Sequence, residues 1–157
     1  MSGASIEELY SLLVPLSNER LIVPRACVAE VVRFSRPESP PTDTPEWLLG
    51  EFPWNGRELP LVSFEGLAGE SIPAPSGRTR VIVFNAIGGV LRQRYFGMLT
   101  QGFPQLVRVN REVLRLEESE TFTDEQPVVC KVRMINEYPL IPDLELIERR
   151  IGEATAL

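Results

Sequence analysis

The chain has no histidine, one lysine (Lys131) and two cysteines. Without histidine it lacks both the usual general base at neutral pH and the commonest metal ligand. Ser-His-Asp and Cys-His catalysis are thereby excluded. No other nucleophile has a candidate base and no cluster has metal-ligand spacing, so neither an enzyme, a metal site nor a cofactor is expected. The basic residues number 16 against 22 acidic ones, for a net charge of −6, and the arginines are dispersed. That balance opposes nucleic-acid binding, which draws its affinity from clustered Lys and Arg. No apolar run approaches the ~18 residues that would suggest a membrane span, and the N-terminus shows no basic segment followed by an apolar one. The expectation is a soluble, cytoplasmic protein without membrane insertion. Cys27 and Cys130 each lie within an apolar segment, which favours buried thiols over a disulfide.

What is present is 157 residues with an apolar fraction of 43%, enough for one domain with its own core. Ser5 to Glu8 has the form of a capping box for a short helix, followed by a strand from Leu12 to Leu16. Beyond the polar turn Ser17 to Arg20, Leu21 to Val23 and Ala26 to Phe34 read as strands rich in β-branched residues. Ser35 to Thr44 is a proline-rich loop. Thr44, Pro45 and Gly50 are placed to start and stop a short helix carrying Trp47, Leu48 and Leu49. Glu70 to Gly77 is a second Pro/Gly/Ser linker, dividing the strands near residues 70–78.

Thr79 to Phe84 is a nearly continuous apolar run, suited to a strand buried on both faces. Val90 to Leu99 reads as the next strand, with Arg92 and Arg94 side by side on a surface-leaning face. The acidic stretch 117–125 reads as a solvated loop. Val128 to Ile135 and Tyr138 to Ile141 are strands, and a helix capped by Asp143 and ended by Gly152 closes the pattern. About nine or ten short strands with two or three short helices indicate an all-β protein of small barrels.

The most informative segment is Gly50 to Gly69. Asn55-Gly56 between two apolar runs is a hairpin signal, because a tight turn there needs positive φ. Gly50, Gly56, Pro60, Leu61, Phe64, Leu67 and Gly69 keep the spacing of one adaptor motif, and the segment resembles the signature of the CheW-like domain. Val28-Ala-Glu30-Val31, Phe96 to Leu99 with Leu106 to Val109, and Pro139 to Leu144 extend the resemblance over nearly the whole chain.

The resemblance implies two SH3-like, five-stranded β-barrel subdomains with short helices and a C-terminal helix, all in one domain spanning 1–157. The N-terminal segment would pack into the second barrel. It implies a non-catalytic adaptor whose partners are the regulatory domain of a CheA-like histidine kinase and the cytoplasmic domain of a methyl-accepting chemoreceptor. The acidic charge and the single lysine also look similar to accessory members of type IV pilus chemosensory systems, which control twitching motility. Where the family carries Arg before the turn glycine this chain has Asn55, which lacks the guanidinium's fixed fork of donors. Its Val-Asp pair is replaced by Thr100-Gln101. Candidate partner-binding residues are Trp54, Asn55, Gly56 and Arg57 at the hairpin, with Arg92 and Arg94. Leu61 and Phe64 lie on a strand running out of the motif; core packing is the plain reading of both and of Trp54, and a solvated face is that of the arginines. The alternative function is a small β-barrel that binds a small ligand or a protein outside chemotaxis.

Overall fold

The computed structural model describes residues 9–39 and 43–155. The capping box at Ser5 to Glu8 lies outside them. Eleven strands are present among the described residues: β1 Leu9–Pro15, β2 Arg20–Pro24, β3 Val28–Arg33, β4 Leu48–Trp54, β5 Arg57–Val62, β6 Arg80–Asn85, β7 Tyr95–Thr100, β8 Gln105–Val109, β9 Arg115–Glu117, β10 Val128–Arg133 and β11 Leu140–Pro142. Two helices, α1 Phe64–Leu67 and α2 Leu144–Thr155, follow β5 and β11, and a single 3-10 turn at Arg25–Cys27 precedes β3.

The strands form two sheets, in the two-subdomain SH3-like architecture that the family resemblance implies. One has five strands in the order β3-β6-β7-β5-β4, and the other has six, β8-β1-β2-β11-β10-β9. The sixth strand is the three-residue β9, which pairs only with β10 and exceeds the expected five. The chain passes from the six-stranded to the five-stranded sheet between Pro24 and Val28, and returns between Thr100 and Gln105. The proline-rich linker 70–77 therefore connects α1 to β6 within one sheet.

The two sheets share a plan. Each has one parallel joint, β5 with β7 and β11 with β2, among otherwise antiparallel pairs. In each, the strand at that joint runs into a capped helix. Ser63 Oγ accepts from the Gly66 amide at 3.1 Å to start α1, and Asp143 Oδ1 accepts from the Leu146 amide at 3.0 Å to start α2. The hairpins β1-β2 and β6-β7 hold matching positions, so the N-terminal strands complete the unit that the C-terminal strands begin.

Alternation along the strands explains the packing. Val81 and Val83 of β6 point into the interior of the five-stranded unit, whereas Ile82 and Phe84 point into a core shared by both sheets. Leu13 and Ile22 enter the interior of the six-stranded unit, while Val14, Leu21 and Val23 enter the shared core. Ile147 and Ile151 of α2 join that shared core, both fully buried. A strand between two apolar layers has no polar face, so β6 reads as an unbroken apolar run.

Three local expectations are corrected. The helix expected after Thr44 is a turn, in which the Leu48 amide donates to the Pro45 carbonyl at 3.1 Å, and β4 begins at Leu48. Extended pairing with β5 from Leu48 to Trp54 outweighs one isolated helical turn, which cannot offset its nucleation cost. Phe64 opens α1 rather than continuing a strand, and like Leu61 it is core. Gly152 lies inside α2, which continues to Thr155, since its backbone is not in the positive-φ conformation that ends a helix and a Cβ added there would meet Val90 only at an ordinary contact distance of 3.7 Å.

Candidate functional site

Asn55 and Gly56 form the β4-β5 turn with φ of 51° and 76°, the positive pair that a type I′ hairpin demands. Trp54 and Arg57 are directly opposite each other as the last cross-strand pair. Asn55, Gly56 and Arg57 are exposed and Trp54 is half-buried against the interior of the five-stranded unit.

Around this turn the fold assembles residues from four segments. The Trp54 indole N–H donates to Glu30 Oε1 of β3 at 3.0 Å. Strands β3 and β4 are the two edges of the five-stranded sheet, so this bond spans the gap that the backbone leaves open. The Trp54 and Tyr95 rings lie 4.9 Å apart with planes inclined at 56°, a tilted aromatic pair. The Arg57 guanidinium sits 5.3 Å from the centre of the Tyr95 ring in cation-π contact and donates to the Gln93 carbonyl at 3.4 Å.

Arg92 and Arg94 are not neighbours on a strand. Strand β7 begins only at Tyr95, and residues 91–94 form a turn closed by the Arg94 amide on the Leu91 carbonyl at 3.2 Å. Arg94 has φ of 63°, and Leu91 dips into the shared core. Two consecutive glycines, Gly88 and Gly89, and this turn break the alternation assumed from residue 90. Both arginines are exposed, but only Arg57 is held against the aromatic pair.

The sequence reading missed Glu30, Gln93 and Tyr95 as members of this cluster. Glu30 carried a signal, since a carboxylate in the β-branched run Val28 to Val32 requires either solvent or a partner. Tyr95 carried one as well, being a polar-tipped aromatic at the start of an otherwise apolar strand. Gln93 acts through its backbone and left no signal.

The cluster is suited to contact rather than chemistry. It presents an aromatic and a guanidinium in fixed positions, the residue types that dominate protein interfaces. Among the described residues, no group of three or more His, Cys, Asp or Glu has the arrangement of a metal site. Burial pushes both the Cys27 and the Cys130 thiols up from their ordinary range, which lowers their thiolate content. The two cysteines are free, as expected, but only partly buried rather than buried, Cys27 packing against the shared core and Cys130 against the interior of the six-stranded unit.

Comparison with known proteins bears on the same architecture. The model of the CheW-like domain matches residues 11–147. No curated protein sequence matches the chain. Among solved structures, the scaffolding protein TtCheW from Thermoanaerobacter tengcongensis superposes with a TM-score of 0.72 at 16% identity, covering 90% of this chain and 88% of that one. At that identity the likeness speaks for the fold.

Proposed function

The chain belongs to the CheW-like domain family, and from that membership we propose that it is a non-catalytic adaptor coupling methyl-accepting chemoreceptors to a CheA-like histidine kinase. It works in the cytoplasm as one domain, with the hairpin cluster as a partner-binding surface. The observation that carries this reading is the set Glu30, Trp54, Arg57 and Tyr95. There an indole and a guanidinium converge on one aromatic ring at an exposed turn. An adaptor needs preorganised contact surface, and side chains already held by neighbours lose little entropy on binding.

Asn55 shapes which partner fits. The family's arginine before the turn glycine is absent, and Arg57, one residue beyond that glycine, supplies the guanidinium from the opposite strand of the hairpin. Its placement over Tyr95 differs from that of a side chain projecting from the turn, so the kinase regulatory domain recognised here is matched to the shifted charge. Arg92 and Arg94 extend the basic surface beside it. In the narrower reading the system served controls type IV pili and twitching motility.

Titration calorimetry of the purified protein with the regulatory domain of a CheA-like kinase tests this reading. Binding that weakens by about 2 kcal/mol in an Arg57→Ala variant of unchanged melting temperature supports it. Equal binding by both proteins removes the hairpin cluster from recognition.

A further inference from the structure

Gly50 does more than space the hairpin motif. At φ of 137° its backbone is crossed by residues 37–39, and an added Cβ would lie 1.8 Å from the Glu38 carbonyl oxygen. Only glycine permits that approach. The crossing lets Glu38 and Glu51 exchange two backbone hydrogen bonds of 3.0 and 3.1 Å as an isolated antiparallel bridge. Two exposed carboxylates are thereby placed directly opposite each other, an arrangement that costs stability in an antiparallel pair. Glu58 lies nearby on the same hairpin face, since Glu51 pairs with Pro60 and Glu58 with Pro53.

These three glutamates form one side of a cleft of about 760 Å³. Residues 90–93 and the last turn of α2 complete its lining. Apolar contact comes from Val90, which is 54% exposed, and from half-buried Pro60. Among the described residues Arg92 is the cleft's only cation, and none of the three carboxylates has a hydrogen-bond or ion-pair partner.

We propose that this cleft docks a basic amphipathic helix of a partner protein. The apolar stripe of such a helix covers Val90 and Pro60, and its Arg or Lys stripe meets Glu38, Glu51 and Glu58. Charge decides the occupant, because three carboxylates against one guanidinium attract a cationic segment and repel an acidic one. An i, i+3, i+4 pattern of apolar anchors beside a charged row matches a cleft in which apolar Pro60 stands directly across from Glu51. The cleft adjoins the hairpin cluster at Arg92 and Gln93, and its carboxylate side would give the adaptor a second point of attachment.

The test uses two synthetic helical peptides, each with one leucine stripe, flanked by arginines in one and by glutamates in the other. Binding to the full chain is followed by backbone amide shifts and by fluorescence anisotropy. The arginine peptide should bind and shift the amides of Glu51, Glu58 and Val90. Its affinity should fall at least about tenfold in the double variant Glu51→Gln, Glu58→Gln, whose exposed side chains keep their shape. Raising salt from about 50 to about 500 mM should weaken it in the unaltered protein as well, since exposed charges are screened. No shifts at those amides, unchanged affinity in the double variant, salt-independent binding, or equal binding of the glutamate peptide in the cleft would each overturn the proposal.

Discussion

Glu65 and Glu148 each tie their helix to the opposite sheet by the same kind of bond. Each carboxylate is only 2% exposed, and each accepts a backbone N–H from the hairpin turn of the opposite sheet. Glu65 of α1 accepts from the Ser17 amide in the β1-β2 turn at 3.1 Å, and Glu148 of α2 accepts from the Gly88 amide after β6 at 2.8 Å. The shared apolar core is thus flanked by two reciprocal polar ties, one from each unit to the other. A buried acceptor lost at such a point leaves a donor unsatisfied and costs about 1 to 3 kcal/mol.

Glu148 makes stability depend on pH. Burial pushes its carboxyl up from the ordinary value of 4.5, opposed by the amides of Gly88 and Ile87, while the nearby Glu145 adds to the rise. With the folded pKa above the unfolded one, the native state binds more protons in the window between them. Stability therefore falls as pH rises from 4.5 through the folded value. Burial raises Glu19 likewise, helped by Glu70 and Glu120, and adds a slope of the same sign. Glu148→Gln keeps an oxygen for Gly88 but removes the ionisation. Denaturant melts from pH 4 to 7 should show a flatter curve for the variant, and superimposable curves would contradict the assignment.

Gly50→Ala places a Cβ on the Glu38 carbonyl, at a φ that L residues rarely adopt. Backbone cannot yield as a flexible side chain can. The substitution should cost about 3 kcal/mol or more, from strain together with the lost bridge to residue 38. Chemical denaturation measures it, and a loss below about 1 kcal/mol would mean that the crossing is not fixed.

The hairpin turn separates strain from recognition. Nothing lies within 4 Å of a Cβ added at Gly56, so only its φ of 76° resists substitution. Gly56→Val should lower stability by about 1 to 3 kcal/mol. Asn55→Arg, whose side chain is exposed, should change stability by less than about 1 kcal/mol while changing affinity for a kinase regulatory domain. Paired thermal melts and calorimetry decide both, and an unaltered affinity would take Asn55 out of recognition.

Trp54 is neither a free anchor nor a fully buried core residue. Trp54→Phe retains the ring on Tyr95 but loses the bond to Glu30, and should cost about 1 kcal/mol. Trp54→Ala loses the half-buried ring as well and should cost about 2 to 3 kcal/mol. If both variants cost the same, the packing against Tyr95 contributes nothing to closing the gap between β3 and β4.

Much of this was legible from local chemistry. Asn55-Gly56 announced its turn because few dipeptides accept two positive φ values, and the β6 run announced burial on both faces. The Asp143 cap and the Leu144, Ile147, Ile151 face announced α2. What was hidden depended on contacts between distant segments. Leu48 and Leu49 look suited to a short helix until β5 is there to pair with them. Arg92 and Arg94 fall on one face only if the chain is extended, and the turn at Leu91 to Arg94 is fixed by packing below it. Glu30 and Tyr95 joined the site through the closing of a sheet whose edge strands are 15 residues apart in the chain at their nearest ends, Arg33 and Leu48.

The role proposed for this protein is to join a receptor to a kinase. Co-sedimentation tests it most directly, with a membrane-anchored chemoreceptor signalling domain, the regulatory domain of a CheA-like kinase, and the purified protein added or withheld. The kinase domain should pellet with receptor membranes in proportion to the protein added, and Arg57→Ala should reduce the amount recovered. Equal recovery of the kinase domain with and without the protein, across partners drawn from the same chemosensory system, would contradict it.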